Sequence, residues 1–179
     1  MAIIFKETKL KGAFVIEPER FEDERGFFAR SFSDKEFAVH GIDPRLVECN
    51  ISFNRKKHTI RGMHFQSAPH AQAKLVRCTR GAIYDAIIDL RPHSATFKQT
   101  IGEELSAENR LMLYVPQGFA HGFQTLEDNT EVFYQVSDYY APGSAGGVRW
   151  DDRAFDIHWP AIEGVIVNKR DRTYPDFRL

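Results

Sequence analysis

The sequence predicts an all-β protein, an antiparallel sandwich or barrel with little helix. Three observations carry this expectation. Strand-like stretches recur at short intervals from residue 12 to residue 152. Clusters of Gly, Pro, Asn and Asp separate them, as tight turns require. Only one stretch, SDKEFAVHG (33–41), carries the caps of a helix: Ser33 as N-cap, Glu36 at the capping-box position and Gly41 at the end.

In order, the predicted strands are GAFVIEP (12–18), ERGFFARSF (24–32), ECNISFN (48–54) and TIRGMHFQ (59–66). QAKLVRC (72–78) and AIYDAIIDL (82–90) follow, turning at Arg80-Gly81. Then come TIGEEL (100–105), RLMLYVP (110–116), GFQTL (122–126), EVFYQVSDYY (131–140) and GVRWDD (147–152). Spacing of this kind fits a sandwich or barrel. The polar tail, with Pro175, reads as a surface wrap or a short terminal helix. No internal repeat, linker or low-complexity tract interrupts the chain.

The 179 residues fit one domain, 1–179, long enough to enclose a core. An apolar content of 42% with 15 phenylalanines supplies the material for it. The 24 basic and 25 acidic side chains nearly cancel, which argues against general nucleic-acid or anionic-membrane binding but leaves room for a small anion at a local basic cluster. No apolar run approaches the ~18 residues of a membrane span. Lysines and a glutamate break up the first residues where a signal peptide would be apolar. Cys49 and Cys78 form neither a disulfide framework nor a CxxC metal site. The expectation is a soluble, cytoplasmic protein.

RGMHFQSAPHAQAKLVRCTRG (61–81) places polar side chains where a core strand would carry valine or isoleucine. By the two-residue period of a strand, Gln72 and Lys74 share a face with Val76 and Cys78. His64 and Gln66 share a face in the preceding strand, and Arg61 takes the other. In 131–140, Tyr134 alternates inward with Val132 and Val136. A barrel mouth carrying a histidine, a lysine and a tyrosine suits a binding site better than a core.

VPQGFAHGF (115–123) contains P-x-G-x-x-H, the second sequence signature of cupin barrels. The first signature should fall at 61–74, where it reads His64-x-Gln66 with no following glutamate; His70 and Gln72 do not reproduce it. A divalent site wants three or four convergent ligands, so the expected barrel needs no metal. FEDERGFF (21–28), Asn50-Ile51-Ser52, RGMHFQ (61–66), QAKLVRCTRG (72–81), LSAENRLMLYVPQGFAHGF (105–123), VFYQVSDYYAP (132–142), VRWDD (148–152) and KRD (169–171) together resemble the dTDP-4-dehydrorhamnose 3,5-epimerase family. These are metal-free cupins that invert carbons beside a ketone in nucleotide-linked sugars. The resemblance implies a cupin-type jelly-roll barrel of antiparallel strands with a few short helices, and a dTDP-4-keto-6-deoxyhexose as substrate.

That chemistry needs a base, an enolate stabiliser and an acid on the opposite face. His64 fits the base, because an imidazole ordinarily titrates near 6.5 (about neutral) and can exist in both forms. The resemblance assigns Asp171 to orient it, Lys74 to stabilise the enolate and Tyr134 to return the proton. Loss of one such oxyanion donor costs on the order of 10²–10³ in rate. Arg25 and Arg61 are the expected diphosphate ligands, with His121, Lys169 and Arg170 behind them. Tyr139 and Tyr140, with Phe27 or Phe28, offer flat apolar surface to a nucleobase. Gln66 and Asn50 complete the expected substrate contacts. The resemblance further implies a homodimer with residues 21–30 reaching the neighbouring barrel, and no cofactor.

Two positions depart from the family pattern: Arg30 stands where a glutamate is usual, and Glu48 opens the segment where a glutamine is usual. Both change charge beside the expected ligand and bear on which carbon inverts and on which nucleotide. The alternatives are a single-carbon 3- or 5-epimerase acting on a CDP or GDP 4-keto sugar, a metal-dependent cupin, and a non-catalytic sugar-binding cupin.

Overall fold

A computed structural model describes residues 2–178. Its strands, in chain order, are β1 (Ile3–Glu7), β2 (Phe14–Pro18), β3 (Arg20–Asp23), β4 (Gly26–Ala29), β5 (Glu48–Asn54), β6 (Thr59–Gln66), β7 (Lys74–Arg80) and β8 (Ala82–Asp89). They continue as β9 (Thr100–Ser106), β10 (Met112–Val115), β11 (Phe119–Thr125), β12 (Thr130–Val136), β13 (Ala145–Gly147) and β14 (Ile166–Val167). The helices are α1 (Asp34–Val39) and α2 (Lys169–Arg172). No helix is long and apolar enough to cross a membrane among the described residues.

Two sheets face each other. One runs β1-β2-β10-β7-β12-β5 and the other β13-β6-β11-β8-β9, with β14 added in parallel to β6. Apart from that addition the pairings are antiparallel, as the short turns dictate. Alternation along each strand then sorts the side chains. Val76, Cys78, Leu113, Val115 and Val132 meet Ile83, Ile87, Phe119 and Phe123 between the sheets. Leu75, Met112 and Ile16 point the other way, under Phe37 of α1. Ile60, Met63, Ala86 and Ile88 lie outside the second sheet, where Val148, Phe155, Trp159 and Val167 of the C-terminal segment cover them.

Several elements differ from the sequence reading for identifiable reasons. The stretch expected as one strand over 24–32 is the return arm of a hairpin, β3–β4. Asp23 accepts a hydrogen bond from the Arg25 backbone N–H at 2.8 Å, and Gly26 takes a φ of +123°, a turn only glycine makes cheaply. β12 stops at Val136 because Asp138 caps the Tyr139 N–H, so Tyr139 and Tyr140 sit on a loop instead of in the strand. β1 carries polar residues that masked its pairing with β2. Ser33 does cap α1, accepting from the Glu36 N–H.

The largest departure is in β6. His64 pairs with His121 but Arg61 pairs with Phe123, so β6 spends one residue more than β11 over this stretch. A bulge of this kind reverses the alternation downstream of it. Arg61 therefore faces the same interior as His64, where simple parity had put the two on opposite faces. Glycines make the bulge possible. A Cβ on Gly62, whose φ is +136°, would lie 2.5 Å from Gly122 Cα. One on Gly122 would lie 2.7 Å from the Arg61 carbonyl oxygen. Gly122→Ala is expected to lower stability by about 1–3 kcal/mol through forced separation of β6 and β11. Urea denaturation monitored by tryptophan fluorescence would measure it, and unchanged stability would show that the close approach is dispensable.

Candidate active site

The bulge presents Gly62, His64 and Arg61 to the end of the barrel, and the C-terminal segment returns there to meet them. β14 lies parallel to β6, and Asn168 then starts α2 by accepting the Asp171 N–H at 2.7 Å. This turn carries Asp171 into full burial. One carboxylate oxygen lies 2.7 Å from His64 Nε2 and the other accepts the Gly62 N–H at 3.1 Å. A carboxylate only accepts, so it fixes the proton on Nε2 and leaves Nδ1 with its lone pair. Burial raises the Asp171 pKa, but the hydrogen bond and charge of His64, the Gly62 N–H and Arg170 outweigh it and hold the group below the ordinary carboxylate range.

Two adjoining cavities, of about 290 and about 310 Å³, share His64, Lys74 and Tyr134 as walls. Lys74 makes only a long contact, 3.5 Å, to the His64 carbonyl oxygen. Removal from water lowers its pKa to about 8 against the opposing attraction of Asp85. Burial likewise raises the Tyr134 pKa; Arg61 opposes and Glu48 assists. Tyr134 therefore stays a protonated phenol at neutral pH.

A second His–Asp pair lies beside the first. His121, the cross-strand partner of His64, places Nε2 2.8 Å from Asp85 Oδ1, and both residues are buried. Burial pushes the His121 pKa down; Asp85 pulls it up, while Lys74 and His64 push it down further, and the net effect keeps the ring neutral. Asp85 was not anticipated. An acid within the apolar strand 82–90 was the available signal, since a buried charge demands a partner.

Eleven of the expected residues line these cavities or hold their walls. Arg61, His121 and Asp171 face one cavity, and Glu48, Asn50, Gln66, Tyr140 and Arg170 the other. The Arg61 guanidinium is steadied by Asn54 Oδ1 at 2.7 Å, which leaves much of its fork available. Gln66 is committed to the protein, donating to the His70 and Tyr139 carbonyl oxygens and accepting from the Ala141 N–H. It shapes the 139–141 loop. Ser52 and Gln72 belong to the walls and were not among the expected ligands.

Arg25, Phe28, Arg30, Tyr139 and Lys169 do not line either cavity within one chain. Arg25 pairs with Asp23 on the exposed hairpin, and Phe28 is 64% exposed there. Arg30 reaches Glu36 at 3.0 Å, whose other oxygen accepts the Ile3 N–H, so it ties the hairpin to α1 and β1. A larger groove, about 1040 Å³, runs along β1, β2 and β9 away from this chemistry. Its His158 and Asp156 are exposed and 3.9 Å apart, too far for a hydrogen bond. Among the described residues no group of three or more His, Cys, Asp or Glu is arranged to hold a metal ion.

Fold and site together define a cupin-type barrel whose mouth gathers a lysine, a tyrosine and a half-exposed histidine bonded to a buried aspartate. The sequence profile of the dTDP-4-dehydrorhamnose 3,5-epimerase family matches residues 7–178, and the chain belongs to this family of isomerases. The dTDP-4-dehydrorhamnose 3,5-epimerase of Salmonella typhimurium is 41% identical over 176 residues, 98% of this chain and 95% of that protein. The crystal structure of the Bacillus anthracis enzyme, with TDP and PPi bound, superposes with a TM-score of 0.94 at 44% identity, covering 98% of this chain and 100% of that one. The Legionella pneumophila epimerase, in complex with dTDP-4-keto-L-rhamnose, superposes with a TM-score of 0.88 at 36% identity over 95% and 90% of the two chains.

Lys74 carries a stability cost that pH exposes. Its folded pKa of about 8 lies below the ordinary lysine value, so below pH 8 the charged form bears the full penalty of burial. As pH rises from about 8 toward 10.5 the folded state releases this proton before the unfolded state does, and stability is regained. Lys74→Met is expected to stabilise the protein at pH 7 by up to about 3 kcal/mol, an advantage that shrinks toward pH 10. Urea melts of both proteins at pH 7 and pH 10 would test this, and a destabilised variant at pH 7 would refute it.

Proposed function

We propose that this chain is a nucleotide-sugar epimerase that inverts C3 and C5 of a dTDP-4-keto-6-deoxyhexose through an enolate. The observation that supports this reading above others is the sharing of one cavity system by His64, Lys74 and Tyr134, with Asp171 bonded to His64. His64 Nδ1 takes the proton from the carbon beside the ketone. The electron pair moves onto the C4 oxygen, where the Lys74 ammonium stabilises it. Asp171 keeps the ring oriented and balances the imidazolium as it forms. Tyr134 then gives its phenolic proton to the opposite face of the carbon. Water returns a proton to the tyrosinate as His64 releases its own, and the set is restored. No cofactor enters this scheme.

Arg61 and Arg170 are the diphosphate ligands in this reading, and Tyr140 supports the nucleobase. Asn50 and Glu48 line the same cavity, where neither side chain is tied to a protein partner by a described hydrogen bond. Arg25, Phe28 and the aromatic hairpin around them complete the site of a second copy, giving a cytoplasmic homodimer of single-domain subunits. Phe21, Phe27 and Phe28 are all exposed in one chain, which supports a partner on this hairpin. The bound ligands of the Bacillus anthracis and Legionella pneumophila structures support the nucleotide-sugar class.

Solvent-deuterium uptake separates the roles. With dTDP-4-keto-6-deoxy-glucose in heavy water, the unmodified protein is expected to label C3 and C5 as epimer accumulates. His64→Asn should label neither carbon above background. Tyr134→Phe should still exchange, more slowly, with the proton returned to the face it left and little epimer formed. Mass and proton NMR spectra read both quantities. Full exchange in His64→Asn would overturn the assignment of the base, and normal epimer yield in Tyr134→Phe that of the acid.

A further inference from the structure

The dyad His121–Asp85 is only half used by its hydrogen bonds. Asp85 Oδ1 serves His121 Nε2, but Oδ2 is fully buried and has no hydrogen-bond partner. An unsatisfied buried carboxylate oxygen is costly, and an apolar side chain at this inward position of β8, between Ile83 and Ile87, would avoid the cost. Across the interior, Lys74 is a half-buried ammonium with one long contact to a carbonyl oxygen. Each group lacks what the other supplies.

We propose that Asp85 is a positioning residue of the reaction, a fixed counter-charge whose free oxygen keeps Lys74 an ammonium while its other oxygen orients His121. This rests on the reading of Lys74 as the enolate stabiliser. An enolate oxygen is stabilised by an ammonium and not by an amine, so Lys74 must stay charged in a place that disfavours charge. The groups around it do not share this task equally. Arg61 of β6 and Arg170 of α2 are cations and oppose it. His121 of β11 is neutral, Tyr134 of β12 is a protonated phenol, and His64 must accept a proton during turnover. Asp171 is spent on His64 and the Gly62 N–H. Glu48 of β5 also faces the cavity, but its field is registered at Tyr134. Asp85 is the anion whose attraction opposes the downward push of burial on Lys74.

The test is the pH dependence of turnover in Asp85→Asn, which keeps shape and a hydrogen-bonding oxygen but removes the charge. The alkaline limb of kcat is expected to move to lower pH by about one unit, so that the loss relative to the unmodified protein is about fivefold greater at pH 8 than at pH 6. Asp85→Glu should keep the limb near its original position even where overall activity drops. A pH-independent loss in Asp85→Asn would mean a purely structural role and overturn the proposal. Nitrogen-15 NMR titration of Lys74 provides the readout independent of catalysis. If the unmodified protein turns over no dTDP-4-keto sugar, the proposed reaction fails, yet a lowered Lys74 titration in Asp85→Asn still supports the coupling. If it turns over and neither the limb nor the Lys74 titration moves, the Asp85 proposal alone fails. Should Asp85→Asn not fold, a crystal structure of the unmodified protein decides. Lys74 Nζ is expected within about 6 Å of Asp85 Oδ2, the outer range in which an opposite charge holds an ionised group, with at most one water between them, and a wider separation would refute it.

Discussion

The Asp171 carboxylate is the point on which the rest of the structure depends. It binds a backbone N–H and a ring nitrogen of the same strand, two residues apart, from a helix more than a hundred residues downstream. That double contact holds the β6 bulge, orients His64 and closes the barrel end with the C-terminal segment. Loop closure over so long a span costs conformational entropy that one hydrogen bond could not offset. The cover of Val148, Phe155, Trp159 and Val167 over the second sheet supplies the remainder through burial. Asp171 thus converts nonspecific packing energy into one defined geometry at the mouth.

The two His–Asp pairs show how environment assigns different work to the same residue types. His64 is partly exposed and keeps one nitrogen toward the cavity, whereas His121 is sealed among β8, β11 and Lys74. The first can exchange a proton with a ligand; the second is held neutral by its burial. Between them Lys74 is partly withdrawn from water at a cost in stability, and Tyr134 is made a weaker acid than a free phenol. Such conflicts with good packing concentrate where chemistry is done, because preorganised charge in a dry wall acts more strongly than charge in water.

Much of this was legible in the sequence. The strand spacing gave the antiparallel architecture, the capping box gave α1, and the parity of Lys74 with Val76 and Cys78 gave its inward direction. Ordered motifs brought His64, Lys74, Tyr134 and Asp171 together before any geometry was known. What parity could not give was Arg61, because the bulge arises from the meeting of Gly62 with Gly122, two residues distant in sequence. Arg30 was read as a change of charge beside the ligand; within one chain its guanidinium is engaged by Glu36, and only the packing of hairpin against helix reveals that. Asp85 went unread because a lone acid in an apolar strand announces a need without naming its partner.

The exposed hairpin connects these arguments to the proposed dimer. Within one chain β3 and β4 pair only with each other, and both stand almost wholly in solvent. A two-stranded ribbon is marginal on its own, and three exposed phenylalanines make it less favourable still. The cavities it would cover contain Lys74, whose proposed hold on an enolate would weaken as water is admitted. Covering the mouth with the hairpin of a second copy would bury the phenylalanines and dry the cavity in one step. In the proposed dimer the apolar surface that drives association would therefore also set the dielectric in which Lys74 and Asp85 act.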